Sequence, residues 1–275
     1  MIGLGRTGLP IATNLIGRGH EVIGYRRHMT PEFTGIPATN VREVARAKTI
    51  FTILPSVEAL DDVMTELVPV LDGHTIVELG SHPIAAKEKW RDALASRGSH
   101  FLDGEISGTP PMTAARTAVL LVAGDERAAI PLIELCKDAS DHVRYAGAFG
   151  GATKLKLVAN HLVAVHTVAA AEAMLLVKES GLDPKLAIEV LGLGAGSSTM
   201  LKMRAPMMAN RAFEPAAGPV GMLSHYLSPI DELAGDLQLP LFEAAAELFR
   251  KALATGRRDQ DIGCVIELLD RKGRP

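Results

Sequence analysis

Short runs of Val, Ile and Leu alternate with helix-like segments from residue 1 to about residue 150 of this chain. The runs that resemble strands are EVIGY (21–25), TIFTILP (49–55), HTIVELG (74–80), HFLDG (100–104) and AVLLVAGD (118–125). The segments between them, such as SVEALDDVMTELVPVL, repeat apolar residues about every 3.6 positions, as helices do. Strands that alternate with helices form parallel sheets with helices on both faces, so we predict an α/β domain here.

The alternation ends near residue 150, and the remaining sequence predicts helices alone. The breaks between these helices are GLD, GLGAGSS and FEPAAGP. Neither proline nor glycine occurs from Ala152 to about Ser180, which predicts one helix of roughly 40 Å. Because 275 residues exceed the usual size of a single core, we predict an α/β domain (1–150) and an all-α domain (151–275), joined by this long interdomain helix.

Composition and charge argue against several classes of protein. A net charge of −3 and a pI of about 6.3, with no run of one sign, disfavour nucleic-acid binding. The spacing of Cys136 and Cys264 suits neither a disulfide framework nor a metal site, so we predict no metal. The two cysteines fit a reducing cytoplasm best. No signal-like N-terminus and no apolar run of about 18 residues is present, so we expect an unprocessed, soluble protein without a membrane segment.

The segment GLGRTG (3–8) has the spacing of a dinucleotide-binding turn. Gly3, Gly5 and Gly8 match G-x-G-x-x-G, and a helical pattern followed by EVIGY completes a βαβ unit. In such a Rossmann domain the first two glycines let backbone amides approach a pyrophosphate, and the third lets the helix pack closely on the strand. The predicted cofactor contacts of this turn are Gly3, Leu4, Gly5, Arg6, Thr7 and Gly8.

The end of the second strand favours NADP over NAD. An NAD site has Asp or Glu at this point to bind the ribose 2′-hydroxyl, but this chain has YRRH (25–28). Arg26 and Arg27 would attract the 2′-phosphate of NADP, and no acidic residue in this segment would repel it. The alternative is that both arginines are solvated loop charges.

The first strand of the βαβ unit is short. Only Met1 and Ile2 precede Gly3, whereas a central strand usually contains several residues. We expect that residues upstream are missing from this numbering; the alternative is an abnormally short central strand.

Four stretches of the chain carry a family signature together. They are GLGRTGLPIATNLIGRGHEVIGYRR, FLDGEISGTPPM, GAFGGATKLKLVAN and FEPAAGPVGMLSHYLSPI. In order and separation they resemble the β-hydroxyacid dehydrogenases, the 3-hydroxyisobutyrate dehydrogenase-like branch of the 6-phosphogluconate dehydrogenase superfamily. The resemblance covers essentially the whole chain. It implies a nicotinamide-dependent oxidoreductase that forms a homodimer or homotetramer through its helical domain.

The resemblance implies that Lys156 is the catalytic lysine and that Asn160 binds substrate. The two side chains are four residues apart and share a helix face. Lys156 would donate a proton to the carbonyl oxygen in reduction and accept it in oxidation, which requires a pKa lowered by burial or by a positive neighbour. The alternative is a surface lysine, as we expect of Lys154. Ser107 and the Gly108 amide would bind the carboxylate of a small-molecule substrate.

Further cofactor contacts are implied by position. Leu54, Pro55 and Ser56 end the third strand and would line the adenosine ribose or the pyrophosphate. Ser81 would lie beside the nicotinamide, although its turn is one residue shorter than the family pattern. We expect the neighbouring His82 to be a surface loop residue.

The chain departs from the family at one segment implied to face the substrate. His225, Tyr226 and Leu227 stand where the family has Lys-Asp-Leu. Because proline is unsuited to a helix interior, we predict a helix that restarts with Ser228 as N-cap and Pro229 as its first residue. His225 and Tyr226 would then lie on a loop near the nicotinamide and bind substrate; the alternative is sequence drift on a surface loop.

These residues predict hydride transfer between NADP and a small 3-hydroxy acid or its semialdehyde or keto form. Two alternatives remain open. One is reduction of C=N bonds, as in imine reductases of this fold, although those usually carry Asp or Tyr in place of the lysine. The other is a non-catalytic NADP-binding protein, which the altered Lys-Asp-Leu segment suggests.

Overall fold

The computed structural model of the chain describes residues 1–270. It contains two compact units, Met1–Lys156 and a second unit that begins at Leu157. Helix α6 (Gly151–Glu179) includes residues on both sides of this division. The first unit is α/β and the second is helical, which confirms the predicted fold class.

Seven short strands are present within residues 1–156. They are β1 (Ile23–Gly24), β2 (Ile36–Pro37), β3 (Thr49–Thr52), β4 (Thr75–Glu78), β5 (His100–Ser107), β6 (Val119–Ala123) and β7 (His142–Tyr145). β3 to β7 pair in sequence order, with β5 antiparallel to β6 and the other pairs parallel. All five strands predicted from the sequence are found. β2 and β7 were not predicted from the sequence, because β2 has two residues and β7 has four, two of which are the polar residues His142 and Arg144.

Ile2 occupies the centre of the sheet. It forms one parallel bridge with Tyr25 and another with Thr52, which connect the β1–β2 pair to β3. Met1 is also buried, and its nitrogen donates a hydrogen bond to the carbonyl oxygen of Ile23 (2.7 Å). The glycine turn therefore follows the central bridge directly, at the edge of the sheet where ligands bind in doubly wound folds.

Hydrophobic cores lie on both faces of the sheet. Side chains of β3 and β4 alternate, so that Ile50 and Ile76 belong to one cluster while Phe51 and Val77 belong to the other. The helices of this unit are α1 (Gly8–Gly17), α2 (Val57–Leu67), α3 (Ile84–Ala95), α4 (Pro110–Ala114) and α5 (Glu126–Ala139). α2 and α3 contribute to the first cluster, and α1 and α5 to the second, so helices cover both faces as predicted.

The second unit is built from helices around a hydrophobic core that is mainly aliphatic. After α6 they are α7 (Pro184–Leu193), α8 (Thr199–Asn210), α9 (Val220–Ser224), α10 (Leu227–Ala234), α11 (Pro240–Ala254) and α12 (Ile266–Leu269). Phe213, Phe242 and Phe249 are buried within this core. The interruptions between α6 and α9 fall at the three glycine-containing segments predicted as breaks. Asp183 ends the first of these segments and caps α7, and Ser198 ends the second and caps α8.

Helix α6 contains 29 residues and has neither proline nor glycine after its first position. Among the helices of residues 1–270, it alone has the length and composition to cross a membrane. Its most apolar window is 44% buried, and core helices of water-soluble proteins meet the same criterion.

The predicted start of α10 is wrong. The helix begins at Leu227, with Tyr226 rather than Ser228 as its N-cap. Leu227 is buried in the core of the second unit, which holds this residue in the first helical turn. Pro229 is consequently the third helical residue, where its missing N–H removes no intrahelical hydrogen bond.

Candidate functional site

A cleft of about 640 Å³ opens beside the glycine turn of the first unit. It lies between this turn, the end of β1 and the end of β3. Its lining includes Gly3, Leu4, Gly5, Arg6, Thr7, Gly8, Arg26, Arg27, Leu54, Pro55 and Ser56. The structure therefore brings together the cofactor residues predicted from the sequence, with the exception of Ser81.

Two of the three glycines are required by close packing. Gly3 has a φ of +90°, and a Cβ there would lie 2.1 Å from the carbonyl oxygen of Ile53. A Cβ on Gly8 would lie 1.9 Å from the carbonyl oxygen of Gly3. Gly5 differs, because a Cβ there would meet no atom within 4 Å. The space at Gly5 belongs to the cleft, so the missing side chain leaves the backbone open to a ligand.

The N-terminus of α1 is suited to an anion. Its N-cap residue, Thr7, makes no side-chain cap hydrogen bond, and its first turn contains no acidic residue. The first amides of a helix lack intrahelical acceptors and lie at the positive end of the helix dipole. Together with the open backbone at Gly5, these features fit the pyrophosphate of a dinucleotide.

Arg26 and Arg27 are exposed at the end of β1, where they line the cleft. Arg26 Nη1 donates a hydrogen bond to the carbonyl oxygen of Leu4 (3.1 Å), which holds its guanidinium against the glycine turn. Arg6 adds a third positive charge to the lining. Two acidic residues of α2 line it as well, so the cleft combines both signs of charge.

The end of β3 contributes one capping residue to the cleft. Ser56 is the N-cap of α2, and its hydroxyl oxygen accepts a hydrogen bond from the Ala59 amide (3.2 Å). The hydroxyl proton of Ser56 can still be donated to a ligand oxygen. Leu54 and Pro55 precede it and give this side of the cleft an apolar surface.

Lys156 lies in the second turn of α6, and its side chain is half-buried. Its Nζ donates a hydrogen bond to the carbonyl oxygen of Ile106 on β5 (2.7 Å). Burial lowers the pKa of Lys156, and the nearby carboxylate of Glu105 opposes this change. The amine is therefore held against a strand within the first unit rather than extended into solvent.

Ser107 and Gly108 are at the carboxyl end of β5, directly after the carbonyl that accepts from Lys156. Ser107 is partly exposed and Gly108 is exposed. A Cβ on Gly108 would lie 2.7 Å from the Cβ of Ala118, so the backbone passes close to the residue that precedes β6. Thr109 then caps the short helix α4, and two prolines stiffen this loop.

Asn160 is on α6, four residues after Lys156, and is only 9% exposed. Among the described residues its side-chain Nδ2 has no hydrogen-bond partner. A buried amide without a partner costs free energy, so such a group favours a ligand that accepts its hydrogen bond.

His225 and Tyr226 form the two-residue turn between α9 and α10. His225 is exposed, whereas Tyr226 is partly buried against the hydrophobic core of the second unit. The predicted loop is therefore a tight turn between helices, and part of the Tyr226 ring serves packing.

A group of buried charged side chains that was not predicted from the sequence lies next to Lys156. This buried charge cluster consists of Glu78, Lys87, Asp103 and Glu105. Lys87 Nζ donates to Asp103 Oδ1 (2.8 Å) and lies 3.8 Å from Glu105 Oε1. Burial raises the pKa of both Glu78 and Glu105 to about 7, although the charge of Lys87 opposes the change.

The cluster also binds the first turns of α6. The Thr153 hydroxyl donates to Asp103 Oδ1 (2.6 Å), and its amide donates to Asp103 Oδ2 (3.0 Å). Lys87 Nζ in turn donates to the Thr153 hydroxyl (3.1 Å). These bonds hold α6 across β5 one turn before Lys156.

The expectation that His82 is a surface residue is wrong. His82 is 6% exposed, and its Nε2 lies 3.6 Å from Glu78 Oε1. Burial lowers its pKa to about 4, with the charge of Lys87 acting in the same direction. Ser81 is exposed, lies outside the cleft lining, and donates a hydrogen bond from its hydroxyl to Glu105 Oε2 (2.7 Å).

One signal in the sequence indicates this cluster. HFLDGEIS reads as a strand with apolar neighbours, yet Asp103 and Glu105 alternate within it and so point to one side of the sheet. Two carboxylates on one side of a central strand require a buried cation or a shared proton. The cation is Lys87 on α3, a helix that contains several charged residues. Only the packing of α3 shows which of them is buried beside Asp103.

Two protein-family models match this chain, one over most of the first unit and the other over most of the second. The model for the NAD-binding domain of 6-phosphogluconate dehydrogenase matches residues 1–147. The model described as NAD-binding of NADP-dependent 3-hydroxyisobutyrate dehydrogenase matches residues 150–269.

Relatives resemble the chain over nearly its full length. Glyoxylate/succinic semialdehyde reductase 1 of Arabidopsis thaliana is 26% identical over 97% of this chain and 96% of its own. A probable 3-hydroxyisobutyrate dehydrogenase of Mycobacterium tuberculosis is 28% identical over 98% of this chain and 96% of its own. The solved structure of 3-hydroxyisobutyrate dehydrogenase from Mycobacterium tuberculosis with L-serine has the same fold (TM-score 0.85, 24% identity, 98% and 97% covered). The chain therefore belongs to the β-hydroxyacid dehydrogenase family of nicotinamide-dependent oxidoreductases.

Proposed function

We propose that this protein uses NADP to transfer hydride between the nicotinamide and a small 3-hydroxy acid, or the corresponding semialdehyde or keto acid. The observation that carries the proposal is the setting of Lys156. Its Nζ is held 2.7 Å from the Ile106 carbonyl oxygen, and burial lowers its pKa. A lowered pKa makes it easier for the lysine to give up its proton and to take it back, as this reaction requires.

NADP, when bound, supplies or accepts the hydride. In reduction, Lys156 gives an ammonium proton to the carbonyl oxygen of the substrate and thereby neutralises the charge that develops there. In oxidation, the neutral amine takes the hydroxyl proton. Ile106, through its carbonyl oxygen, keeps the amine in position in both directions.

The substrate carboxylate is proposed to bind Ser107 and the amide of Gly108. Both follow the carbonyl that holds Lys156, and both are accessible to a ligand. Asn160 shares a face of α6 with Lys156, and its buried Nδ2 would gain an acceptor from the substrate. His225 and Tyr226 are proposed to bind the remainder of the substrate; the exposed imidazole of His225 favours this role more than the partly packed ring of Tyr226.

Preference for NADP over NAD is proposed on the charges at the end of β1. Arg26 and Arg27 line the cleft side by side, and Arg26 is already oriented by its bond to Leu4. Guanidinium groups bind phosphate bidentately, and residues 25–28, which follow β1, contain no carboxylate that could hold a ribose 2′-hydroxyl. Leu54, Pro55 and Ser56 are proposed to contact the adenosine ribose or the pyrophosphate, and Ser81 the nicotinamide.

The proposed setting is a soluble cytoplasmic enzyme that forms a homodimer or homotetramer and binds neither nucleic acid nor membranes. Leu186, Val190 and Leu193 support an assembly surface, because these apolar side chains of α7 are all exposed. We also propose that residues 1–150 and 151–275 act as the cofactor domain and the substrate and assembly domain.

The proposal is tested by a substrate panel followed through NADPH absorbance. The panel contains glyoxylate and succinic semialdehyde in the direction of reduction, and 3-hydroxyisobutyrate and L-serine in the direction of oxidation. We expect turnover of at least one compound, with NADPH preferred over NADH. The variant Lys156→Met should lower kcat/KM by about 100-fold or more while NADPH binding is retained.

Lys154→Met is the matched control. Lys154 is on the same helix two residues earlier and is exposed, so its loss should leave turnover unchanged. Equal losses in both variants would contradict the role of Lys156. Turnover of imines but of no carbonyl acid would favour C=N reduction, and NADPH binding without any turnover would favour a non-catalytic protein.

A further inference from the structure

The residue at the start of α6 offers no side chain to cap the helix. The Lys154 amide donates to the Gly150 carbonyl oxygen (2.9 Å), which identifies Gly150 as the N-cap. Gly150 has a φ of +87°, a conformation that residues with a side chain rarely adopt. The amides of the first helical turn have no intrahelical acceptor, so a side-chain acceptor for them has to come from another element.

Asp103 on β5 supplies that acceptor. The Thr153 amide donates to Asp103 Oδ2 (3.0 Å), and the Thr153 hydroxyl donates to Asp103 Oδ1 (2.6 Å). Both residues are buried. The carboxylate also lies at the positive end of the α6 dipole, which favours its negative charge. Asp103 therefore caps α6 from a strand that lies 50 residues earlier in the chain.

Lys87 on α3 keeps this carboxylate in place. Its Nζ donates to Asp103 Oδ1 (2.8 Å), to the Thr153 hydroxyl oxygen (3.1 Å) and to the Gly104 carbonyl oxygen (3.3 Å). An ammonium group has three N–H donors, and these three bonds account for all of them. The positive charge also offsets the cost of burying a carboxylate away from water. Lys87, Asp103 and Thr153 are called the α6 clamp below.

The α6 clamp and Lys156 attach the same helix to the same strand. The clamp is the first attachment. The second lies three residues further along both elements, where Lys156 Nζ donates to the Ile106 carbonyl oxygen (2.7 Å). A single attachment would let the first turns of α6 pivot on β5, whereas two attachments fix both their position and their angle. The clamp therefore determines where the Lys156 amine lies along the strand.

We propose that the α6 clamp positions the reacting amine: Asp103, Thr153 and Lys87 hold the first turns of α6 so that Lys156 lies at the carboxyl end of β5, where the substrate is proposed to bind. The inference rests on the proposed role of Lys156 and deepens it. No residue of the clamp contacts a substrate atom in this scheme, so all three are positioning residues that act through the lysine.

Thr153→Val tests the hydroxyl, because valine has nearly the same shape and keeps the backbone amide. A methyl carbon cannot stay 2.6 Å from Asp103 Oδ1, since nonbonded carbon contacts lie near about 3.5 Å. The first turn of α6 must then move away from β5 by roughly 0.5–1 Å. A displacement of this size at a reacting group lowers turnover by about an order of magnitude or more. Thr153→Ser keeps the hydroxyl and should behave like the wild type.

Thr167→Val is the matched control. Thr167 is fully buried on the same helix, and its hydroxyl donates to the Val163 carbonyl oxygen within the helix (2.7 Å). This change removes a buried hydroxyl from α6 without loosening the clamp. Far-UV circular dichroism and Tm establish that each variant is folded. If the clamp served stability alone, both valine variants would lower Tm, and neither would change the Lys156 amine or kcat.

The first readout needs no turnover. Trace acetylation of the ligand-free protein with acetic anhydride, followed by mass spectrometry, gives the reactivity of Lys156 relative to the exposed Lys154. Thr153→Val should raise this ratio about threefold or more, because the amine is no longer held against β5. Thr153→Ser and Thr167→Val should keep the wild-type ratio. An unchanged ratio in Thr153→Val, or an equal rise in Thr167→Val, overturns the proposal.

Thr153→Ala decides by the same ratio if Thr153→Val does not fold. The smaller side chain leaves space for a water molecule to bond Asp103 and Lys87, so the burial of unpaired groups is avoided. The ratio in Thr153→Ala must then exceed the ratio in Thr153→Ser. Equal ratios in these two variants would show that the hydroxyl does not position Lys156.

The second readout is turnover. With an active substrate, Thr153→Val should lower kcat about tenfold and change KM by no more than about twofold, while Thr153→Ser and Thr167→Val keep most of the wild-type kcat. A change confined to KM, or an equal loss of kcat in Thr153→Ser, would contradict the inference. The absence of turnover on every substrate would count against the proposed function alone, since the labelling experiment still decides whether the clamp positions Lys156.

Discussion

The proposed preference for NADP rests on the guanidinium groups of Arg26 and Arg27. Arg26 already donates to the glycine turn, whereas Arg27 extends from the next position into the same cleft. At this scale the sequence is informative, because two arginines proposed to bind a phosphate differ from the acidic residue of an NAD site by residue type alone.

Removing Arg27 should change cofactor preference. We expect Arg27→Ala to raise the Kd for NADPH about 10- to 100-fold, because a charge-assisted bond to phosphate is lost, and to leave the Kd for NADH nearly unchanged. Isothermal titration calorimetry with both cofactors measures this. Arg42→Ala, an exposed arginine outside the cleft, is the control. Equal weakening of NADH and NADPH binding would remove Arg27 from 2′-phosphate recognition.

His82 shows the limit of residue-level reasoning. A histidine beside a serine in a short turn is typical of a surface loop, yet this ring is buried against Glu78. Its burial depends on how the end of β4 packs with α3, and residue type contains no information about that packing.

At the scale of elements, the glycine turn and α1 together form one side of the cleft. Gly8 permits close approach of α1 to the sheet, and Gly5 leaves the backbone open in the cleft. Gly17, near the end of the same helix, has no atom within 4 Å of a Cβ position. These three glycines, one in the turn and two in the 10-residue helix that follows it, therefore have different physical functions.

Alanine at each of the three positions should separate these functions. We expect Gly8→Ala to destabilise the fold by about 3 kcal/mol or more, because the Cβ would clash with a backbone carbonyl. Gly5→Ala should leave Tm unchanged and weaken NADPH binding, and Gly17→Ala should stabilise by roughly 0.5 kcal/mol. Thermal melts with and without NADPH measure all three. A normal Tm for Gly8→Ala would contradict the packing argument.

β5 is the element that connects the two predicted substrate residues at its end with the buried charge cluster in its interior. Asp103 and Glu105 of this strand belong to the cluster. The carbonyl oxygen of Ile106 accepts a hydrogen bond from Lys156, and Ser107 is the next residue. The strand was predictable from its apolar residues. Its role in holding α6 was not, because the bonds from Thr153 to Asp103 join residues 50 positions apart.

At the scale of the whole molecule, the buried charge cluster makes stability depend on pH. Glu78 has a pKa of about 7 in the folded state, raised from 4.5 by burial. The folded state therefore binds this proton more tightly than the unfolded state does. The contribution of the group is present in full below about pH 4.5 and is lost as the pH rises through about 7. His82 acts in the opposite direction, because its pKa is lowered to about 4.

Glu78→Gln should remove the first of these dependences. We expect the variant to gain stability relative to the wild type between about pH 5 and about pH 8, by at most about 3 kcal/mol at the alkaline end. Urea unfolding at several pH values measures the difference. Glu66→Gln, on the exposed face of α2, should show no such trend. A variant that loses stability toward pH 8 relative to wild type would contradict the assigned direction.

The sequence alone determined the α/β unit, the helical unit, the glycine turn and the family, because hydrophobic periodicity and turn residues are local properties of the chain. Local patterns also identified the pair of α6 residues at 156 and 160, since a helix fixes which side chains share a face.

Only the tertiary structure decided what surrounds those side chains. The partner of Lys156, the burial of Lys87 and His82, and the start of α10 at Leu227 all depend on contacts between residues distant in sequence. Burial and long-range charge set the protonation of these groups, and a linear pattern specifies neither.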